Sequence, residues 1–274
     1  MIPNVLTIAG SDPGGGAGIQ ADLKTFSALR AYGMAVMTAL TAQNTRKVSG
    51  VHRVPADFVG QQLDTLFDDI RVDALKIGMI ATADIARAIA LRLSQPGRPP
   101  VVLDPVMVAK SGDRLLDPEA IGTVRDTLLP LATVVTPNLP EAAVLLDRAE
   151  PEGPEGMEAM ARALAALGPR YVLLKGGHLT GGDSPDLFYD GSRAIWLPAV
   201  RIATRNTHGT GCTLSAAIAA LIPQRPDIAA AVADAKAYVT AAIGASGQLS
   251  VGSGQGPVHH FHALWAPDEA REAV

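Results

Sequence analysis

The chain is short of thiols: Cys212 is the only cysteine among 274 residues. A single thiol excludes an intrachain disulfide framework and fits a reducing compartment. Aromatic residues make up only 4%, while hydrophobic residues reach 48%. The core must therefore be built from Ala, Val, Leu and Ile, which suits a parallel sheet covered by Ala-rich helices. Positive charge is also scarce. The net charge is −4 and no long basic run occurs, which argues against nucleic acid as a partner. An anionic ligand must then be held by local devices such as helix N-termini, single lysines or a metal. The first ten residues lack the charged segment and long apolar run of a signal peptide. The longest Ala-rich run, 229–245, is interrupted by Asp234 and Lys236, so it reads as a buried helix and not a membrane span. These absences place the expected protein in the cytoplasm, away from membranes. There is no G-x-x-x-x-G-K-[ST] segment, which excludes a P-loop.

Short apolar runs alternate with helical patterns almost throughout. Strands are expected at 5–9, 34–41, 74–80, 101–104, 133–136 and 171–175. Helices are expected at 17–31, 56–69, 83–93, 118–128, 141–146 and 155–167. This alternation is the pattern of a doubly wound parallel sheet. It breaks at 187–203, where runs at 187–189 and 194–198 flank Asp190-Gly191, a strong hairpin pair. Helical runs at 213–222 and 229–245 follow. No internal repeat occurs, and the Pro/Gly/Glu-rich stretch 151–156 is too short to separate domains. The expected fold is α/β: one domain over 1–274, with a mostly parallel sheet flanked by helices and an antiparallel hairpin near the C-terminal end.

Two glycine-rich segments stand where strands give way to helices. Asn206-Thr207-His208-Gly209-Thr210-Gly211-Cys212-Thr213-Leu214-Ser215 follows the strand-like run 194–203. Its glycines allow several amides to converge, and a helix N-terminus adds partial positive charge suited to phosphate. The same field is expected to lower the Cys212 thiol from about 8.5 toward neutrality. The plainer reading is a Gly-containing helix start with a buried cysteine. Residues 10–18, Gly10-Ser11-Asp12-Pro13-Gly14-Gly15-Gly16-Ala17-Gly18, open the first helix. A dinucleotide fingerprint would need an acidic residue at the end of the second strand, where Gln43-Asn44 stand instead. Asp22, one turn into that helix, is either a site residue or a solvated surface charge.

Polar groups recur at strand ends, the edge where open α/β sheets bind ligands: Gln43, Gly78-Met79, Asp104, Thr136-Pro137-Asn138 and Lys175-Gly176-Gly177. Asp104 and Glu141 could hold Mg²⁺ directly or through water, since Mg²⁺ keeps several waters and takes few carboxylates. Glu141 could equally be a first-turn acid stabilised by its helix. Asn138 and Lys175 could meet phosphates. Residues 109–115, with Lys110, Ser111 and Gly112, are either a flap or a static surface loop.

Taken together the sequence resembles the hydroxymethylpyrimidine/phosphomethylpyrimidine kinases of thiamine biosynthesis, within the ribokinase-like superfamily. The resemblance runs from Thr7-Ile8-Ala9-Gly10-Ser11-Asp12 to Gly256-Pro257-Val258. It includes Gln20-Ala21-Asp22, Thr38-Ala39-Leu40-Thr41-Ala42-Gln43-Asn44, Lys76-Ile77-Gly78-Met79, Leu103-Asp104-Pro105-Val106-Met107, Lys110-Ser111-Gly112, Thr136-Pro137-Asn138-Leu139-Pro140-Glu141-Ala142 and Gly209-Thr210-Gly211-Cys212. It implies a single ribokinase-like domain, usually a homodimer, without the additional C-terminal domain of some relatives. It implies ATP as co-substrate with Mg²⁺, and leaves the help of a monovalent cation open. By this resemblance Gly10, Asp22, Gln43, Met79 and Val106 would surround the aminopyrimidine, with Gln43 and Asp22 reading its polar edge. Asp104, Asn138 and Glu141 would organise Mg²⁺ and the ATP phosphates, with Asp104 and Glu141 nearest the metal. Lys175 and residues 204–210, beginning at Thr204, would lie along the nucleotide. Gly209, Thr210, Gly211 and Cys212 would form the anion hole. Most of the wider superfamily has Asp as the base where Cys212 stands, so the resemblance fixes the position of the base better than its identity.

The implied reaction is transfer of the ATP γ-phosphoryl group to 4-amino-5-hydroxymethyl-2-methylpyrimidine, then to its monophosphate. A pyridoxal kinase shares the fold and the anion hole, and is the nearest rival. A pyrimidine-binding regulator that has lost catalysis, or a cysteine hydrolase using Cys212 and His208, fits the residues less well.

Overall fold

The computed structural model describes residues 1–108, 112, 115–177, 179 and 183–265. β1 (Asn4–Ser11) leads through α1 (Gly18–Ala28) to β2 (Tyr32–Gln43), which turns back as β3 (Val48–Arg53). There follow α2 (Ala56–Asp69), β4 (Ala74–Ile77), α3 (Ala83–Leu93), β5 (Val101–Leu103), α4 (Pro118–Thr123), β6 (Val134–Val135), α5 (Leu139–Leu146), α6 (Gly153–Ala165) and β7 (Tyr171–Leu174). The hairpin β8 (Asp186–Tyr189) and β9 (Ala194–Leu197) precedes the helices α7 (Thr210–Leu221) and α8 (Ile228–Gly244).

The strands form one nine-stranded sheet in the order β3-β2-β1-β4-β5-β6-β7-β8-β9. From β2 to β7 neighbours are parallel; β3, β8 and β9 are added antiparallel at the two edges. Side chains alternate between the faces with the strand period of two. Leu6, Ile8, Leu75, Ile77, Leu103, Val135 and Leu174 pack with residues of α2, α3, α5 and α6. Val5, Val102, Val134, Leu173 and Phe188 pack with α1, α7 and α8. Burial on both faces explains why the strands read as unbroken apolar runs rather than as alternating ones.

The structure trims or extends several expected elements. The strand-like run 194–203 stops at Leu197 because Pro198 has no amide for the ladder. The helix expected at 118–128 is α-helical only to Thr123, continues as a π turn over Val124–Leu128, and closes in a short turn around Pro130. The helix expected at 213–222 begins earlier, at Thr210, capped by Gly209 in the left-handed region at φ 75°. β3 had no counterpart among the expected strands.

This topology decides where a ligand can sit. The order reverses at β1, whose neighbours β2 and β4 lie on opposite sides, so the switch point opens between β1 and β4. The ends of β1, β2, β4, β5, β6, β7 and β9 and the starts of β3 and β8 all meet one edge. Among the described residues no helix is long and apolar enough to cross a membrane.

Candidate active site

A cleft of about 740 Å³ runs along that edge. Strand order sets its layout: β2, β1 and β4 supply one end, β5, β6 and β7 the middle, and β8, β9 and α8 the other end. A separate depression is lined by α2 and α3 residues and their flanks, and shares no residue with the cleft.

At the first end stand Gly10, Gln43, Met79 and Val106, all on the cleft wall as expected. Ala39, Met79 and Ala81 form a small apolar cluster with Val106 and Leu115. Gly10 has no room for a side chain, since a Cβ there would lie 2.8 Å from the Met79 sulfur. Asp22 departs from expectation. It is fully buried and lies beneath the cleft, not on its wall. Its carboxylate accepts from Thr7 Oγ1 at 2.6 Å and from Lys76 Nζ at 2.8 and 3.0 Å. Burial pushes the Asp22 carboxyl up, against the pull of Lys76. The Lys76 ammonium, buried with it, is nevertheless held above its ordinary range by Asp22, Cys212 and Asp104. The ion pair thus sits beneath this end of the cleft, and Asp22 is not on its wall as expected.

In the middle, Lys175 Nζ lies 3.0 Å from Asp104 Oδ1 and 3.8 Å from Glu141 Oε2. Thr136 Oγ1 and Ser215 Oγ also donate to Asp104, at 3.3 and 3.2 Å. Asn138 and Glu141 form a reciprocal cap at the start of α5. The Glu141 amide donates to Asn138 Oδ1 and the Asn138 amide to Glu141 Oε2, both at 2.8 Å. The capping role weighed for Glu141 is therefore real, and it leaves Oε1 as the oxygen available to a ligand. Burial, assisted by the negative charge of Asp104, pushes the Glu141 carboxyl up to about 7, against Lys175. Among the described residues no group of three metal-ligating side chains occurs. Two carboxylates flanking an ammonium are too few to cage a metal by themselves but fit the expected Mg²⁺, which takes few carboxylates and keeps several waters.

The expected anion hole falls at the start of α7. Gly209 must be glycine: besides its positive φ, a Cβ would lie 1.8 Å from the Gly16 carbonyl oxygen. The Gly211 and Cys212 amides begin the helix, where no carbonyl four residues back awaits them, and both residues line the cleft. Gly211 lies beside the ion pair; a Cβ there would be 3.4 Å from Lys175 Nζ and 3.6 Å from Asp104 Oδ2. The Cys212 thiol does not follow expectation. Burial pushes it up to about 11, and Asp22 and Asp104 add to the rise. The Lys76 charge and a hydrogen bond from the Gly18 amide pull the other way without prevailing. Desolvation at this floor outweighs the helix field, so the thiol is protonated at neutral pH.

The glycine-rich loop of residues 12–18 is organised by Asp12. Its carboxylate accepts from the amides of Gly14, Gly16 and Ala17 at 2.8, 3.2 and 2.9 Å and from His208 Nε2 at 2.8 Å. His208 is thus engaged with Asp12, and a Cys212–His208 hydrolase pair is not built.

At the far end the wall is apolar, with Ala199, Val200, Ile202, Val239 and Ile243. Lys236 Nζ bonds Asp186 Oδ2 at 2.6 Å, and Asp186 Oδ1 accepts the Gly176 amide at 2.9 Å, bracing the turn after Lys175. Thr207, His208, Gly209 and Thr210 line the cleft, but Thr204 does not. Its hydroxyl accepts from the Asn206 amide at 3.1 Å and lies 3.4 Å from Ser246 Oγ, so it braces its own loop. Of the expected flap, residues 109–111, 113 and 114, including Lys110 and Ser111, lie outside the described residues; Gly112 and Leu115 line the cleft. Lys76, Ser215, Asp12 and Lys236 were given no role in the site from sequence, and Thr136 was noted only as a polar group at a strand end. A serine on the sheet-facing side of the Ala-rich α7, and a lysine inside the apolar run of β4, were the available signals.

A family model described as phosphomethylpyrimidine kinase matches residues 12–259. The hydroxymethylpyrimidine/phosphomethylpyrimidine kinase of Escherichia coli (strain K12) is 55% identical over 262 residues, covering 96% of this chain and 98% of that protein. Among solved structures, the pyridoxal kinase of Staphylococcus aureus in complex with AMP-PCP and pyridoxal has a TM-score of 0.87 at 36% identity, covering 96% of this chain and 94% of that one. The phosphomethylpyrimidine kinase of Clostridium difficile 630 has a TM-score of 0.78 at 40% identity, covering 88% and 99%.

Proposed function

The chain belongs to the phosphomethylpyrimidine kinase family, and from that premise we propose how its cleft divides the work. It transfers the γ-phosphoryl group of ATP to the hydroxymethyl oxygen of 4-amino-5-hydroxymethyl-2-methylpyrimidine, releasing ADP, and then adds a second phosphoryl group to the monophosphate. The carrying observation is the Asp104–Lys175–Glu141 cluster beside the α7 start, lying between an end with a carboxamide and an end with an apolar wall. Phosphoryl transfer requires positioning and charge neutralisation more than covalent chemistry, and this arrangement supplies both.

Gln43 reads the pyrimidine edge, while Gly10, Met79 and Val106 hold the ring. Lys175 and the amides of Gly209, Gly211 and Cys212 bear the charge of the transferring group, with Thr210, whose own amide donates to the Thr207 carbonyl, holding their turn, and Asn138 meets the phosphates. Asp104 and Glu141 would hold Mg²⁺, and the ion would neutralise phosphate charge. The Cys212 sulfur, in its deprotonated form, the minor one at neutral pH, takes the hydroxymethyl proton. The apolar wall from Ala199 to Ile243 takes the adenine. The protein acts in the cytoplasm as a homodimer; exposed Met37, Leu40 and Val51 on the β2–β3 hairpin support the dimer.

A pyridoxal kinase reading has a specific observation behind it, the likeness to the Staphylococcus aureus enzyme. The higher identity to the pyrimidine kinase favours the first reading. ³¹P NMR of the protein with ATP, Mg²⁺ and the pyrimidine alcohol tests it: a phosphomonoester signal should appear first and a diphosphate pair later. ATP left unchanged by the pyrimidine would refute it.

A further inference from the structure

The carboxamide of Gln43 is wired on both sides. Thr41 Oγ1 lies 3.2 Å from its Oε1 position, and His208 Nε2 lies 3.5 Å from its Nε2 position. The oxygen and nitrogen of a carboxamide are nearly the same size, so hydrogen-bond polarity decides which stands where. That polarity is set two residues away. Asp12 receives three backbone amides and His208 Nε2. Burial alone would raise the Asp12 carboxyl, but the His208 hydrogen bond and the amides bring it below its ordinary value. An ionised carboxylate only accepts, so His208 Nε2 carries a proton. With its proton given to Asp12, that nitrogen has no lone pair to receive an amide N–H, so the Gln43 oxygen and not its NH₂ group is the end suited to face His208 at 3.5 Å. The Gln43 NH₂ group then faces Thr41. Thr41 has one hydroxyl proton, already donated to the Ser11 carbonyl at 2.9 Å, so its oxygen is open to accept. In this orientation the hydrogen bonds run from Gln43 NH₂ through Thr41 to Ser11 and from His208 to Asp12, and the Gln43 oxygen lies against the positive edge of that same His208 N–H.

We infer that His208 and Asp12 are positioning residues that fix the polarity of the Gln43 carboxamide, and so decide which face of a pyrimidine edge the enzyme accepts. What remains toward the cleft is one N–H and one oxygen lone pair of Gln43, in a fixed order. An aminopyrimidine edge, with its ring nitrogen as acceptor and its exocyclic amine as donor, meets that order. The corresponding 4-oxo-pyrimidine presents the reverse, a ring N–H and a carbonyl, and leaves the pairs mismatched. Without the His208 tether the carboxamide can rotate and suit either edge.

The inference rests on the proposed pyrimidine kinase activity and is tested by a ratio. kcat/KM is measured for the 4-amino alcohol and for its 4-oxo analogue in wild type, His208→Ala, His208→Gln and Thr41→Val. Wild type should favour the amino substrate strongly, since a site built around buried polar groups rejects a mispaired partner. His208→Ala and Thr41→Val should lower the amino-to-oxo ratio by about tenfold or more. His208→Gln, which can still donate toward Gln43 and Asp12, should restore most of it. A His208 that only supports the loop would lower both substrates together and leave the ratio intact. An unchanged ratio in His208→Ala, or one equally low in His208→Gln, overturns the inference. If the alanine variant fails to fold, an unchanged ratio in Thr41→Val overturns it as well. Failure of wild type to phosphorylate the amino substrate would instead overturn the kinase reading.

Discussion

Gln43→Leu keeps the bulk of the side chain and removes both its donor and its acceptor. A buried ligand edge left unpaired costs about 1–3 kcal/mol, so KM for the pyrimidine should rise while KM for ATP stays unchanged. A wild-type pyrimidine KM would remove Gln43 from the site. At Cys212 the sign of the pH dependence is the point. With the thiol pushed up to about 11, the proton-accepting form grows with pH, so kcat should climb between pH 6 and 9. Cys212→Ala should lose about 10²–10⁴ in kcat and flatten that climb; Cys212→Asp should recover part of the rate with a flat profile. A wild-type profile flat over this range, with an unimpaired alanine variant, contradicts the base role. Lys76 shows where sequence reasoning stops. A lysine in an apolar strand signals an unusual partner, but its pairing with Asp22, 54 residues away, is set by α1 folding onto β1, the strand that β4 pairs with. Lys76→Met should destabilise by about 3–5 kcal/mol in urea unfolding by stranding Asp22. Lys76→Met with Asp22→Asn should recover part of the loss; a single variant as stable as wild type would contradict the buried pair.

At the scale of elements, α5 joins stability to the site, because Glu141 both caps the helix and faces Lys175. Its folded pKa, about 7, lies above the ordinary value of 4.5. Between those values the folded protein holds more protons than the unfolded one, so this group makes stability fall as pH rises from about 4.5 to about 7. Glu141→Gln keeps a cap acceptor and removes the buried charge. The variant should lose this part of the slope, and its thermal midpoint should match or exceed that of wild type at pH 8. A midpoint lowered equally at pH 5 and pH 8 would show that the anion is not penalised. The sequence displayed this element well: Asn138-Leu139-Pro140-Glu141 carries its own capping pattern. It displayed the loops less well. Asp12, His208 and Gln43 are far apart in sequence, and their meeting depends on Gly16 and Gly209 packing without side chains between them. Thr204 was legible as a loop residue, but not as one turned away from the cleft toward Ser246.

Over the whole molecule, the alternation of buried runs with amphipathic helices made the parallel sheet readable, and the Asp190-Gly191 pair marked the hairpin. β3 was hidden because five of its six residues are exposed; it carries no period of two and exists because the edge of β2 takes a partner. Strand order itself cannot be read from local patterns. It is the reversal at β1 that brings the ends of β2 and β4 to one side of the Asp104–Lys175–Glu141 cluster, and so makes one cleft from residues spread from Gly10 to Ile243. The central claim is that this cleft is a pyrimidine kinase site. Coupled ADP release with saturating ATP and Mg²⁺ tests it most directly, comparing the pyrimidine alcohol, its monophosphate and pyridoxal as acceptors. The account predicts turnover with both pyrimidines and a lower kcat/KM for pyridoxal. ADP release supported by pyridoxal but by neither pyrimidine would contradict it.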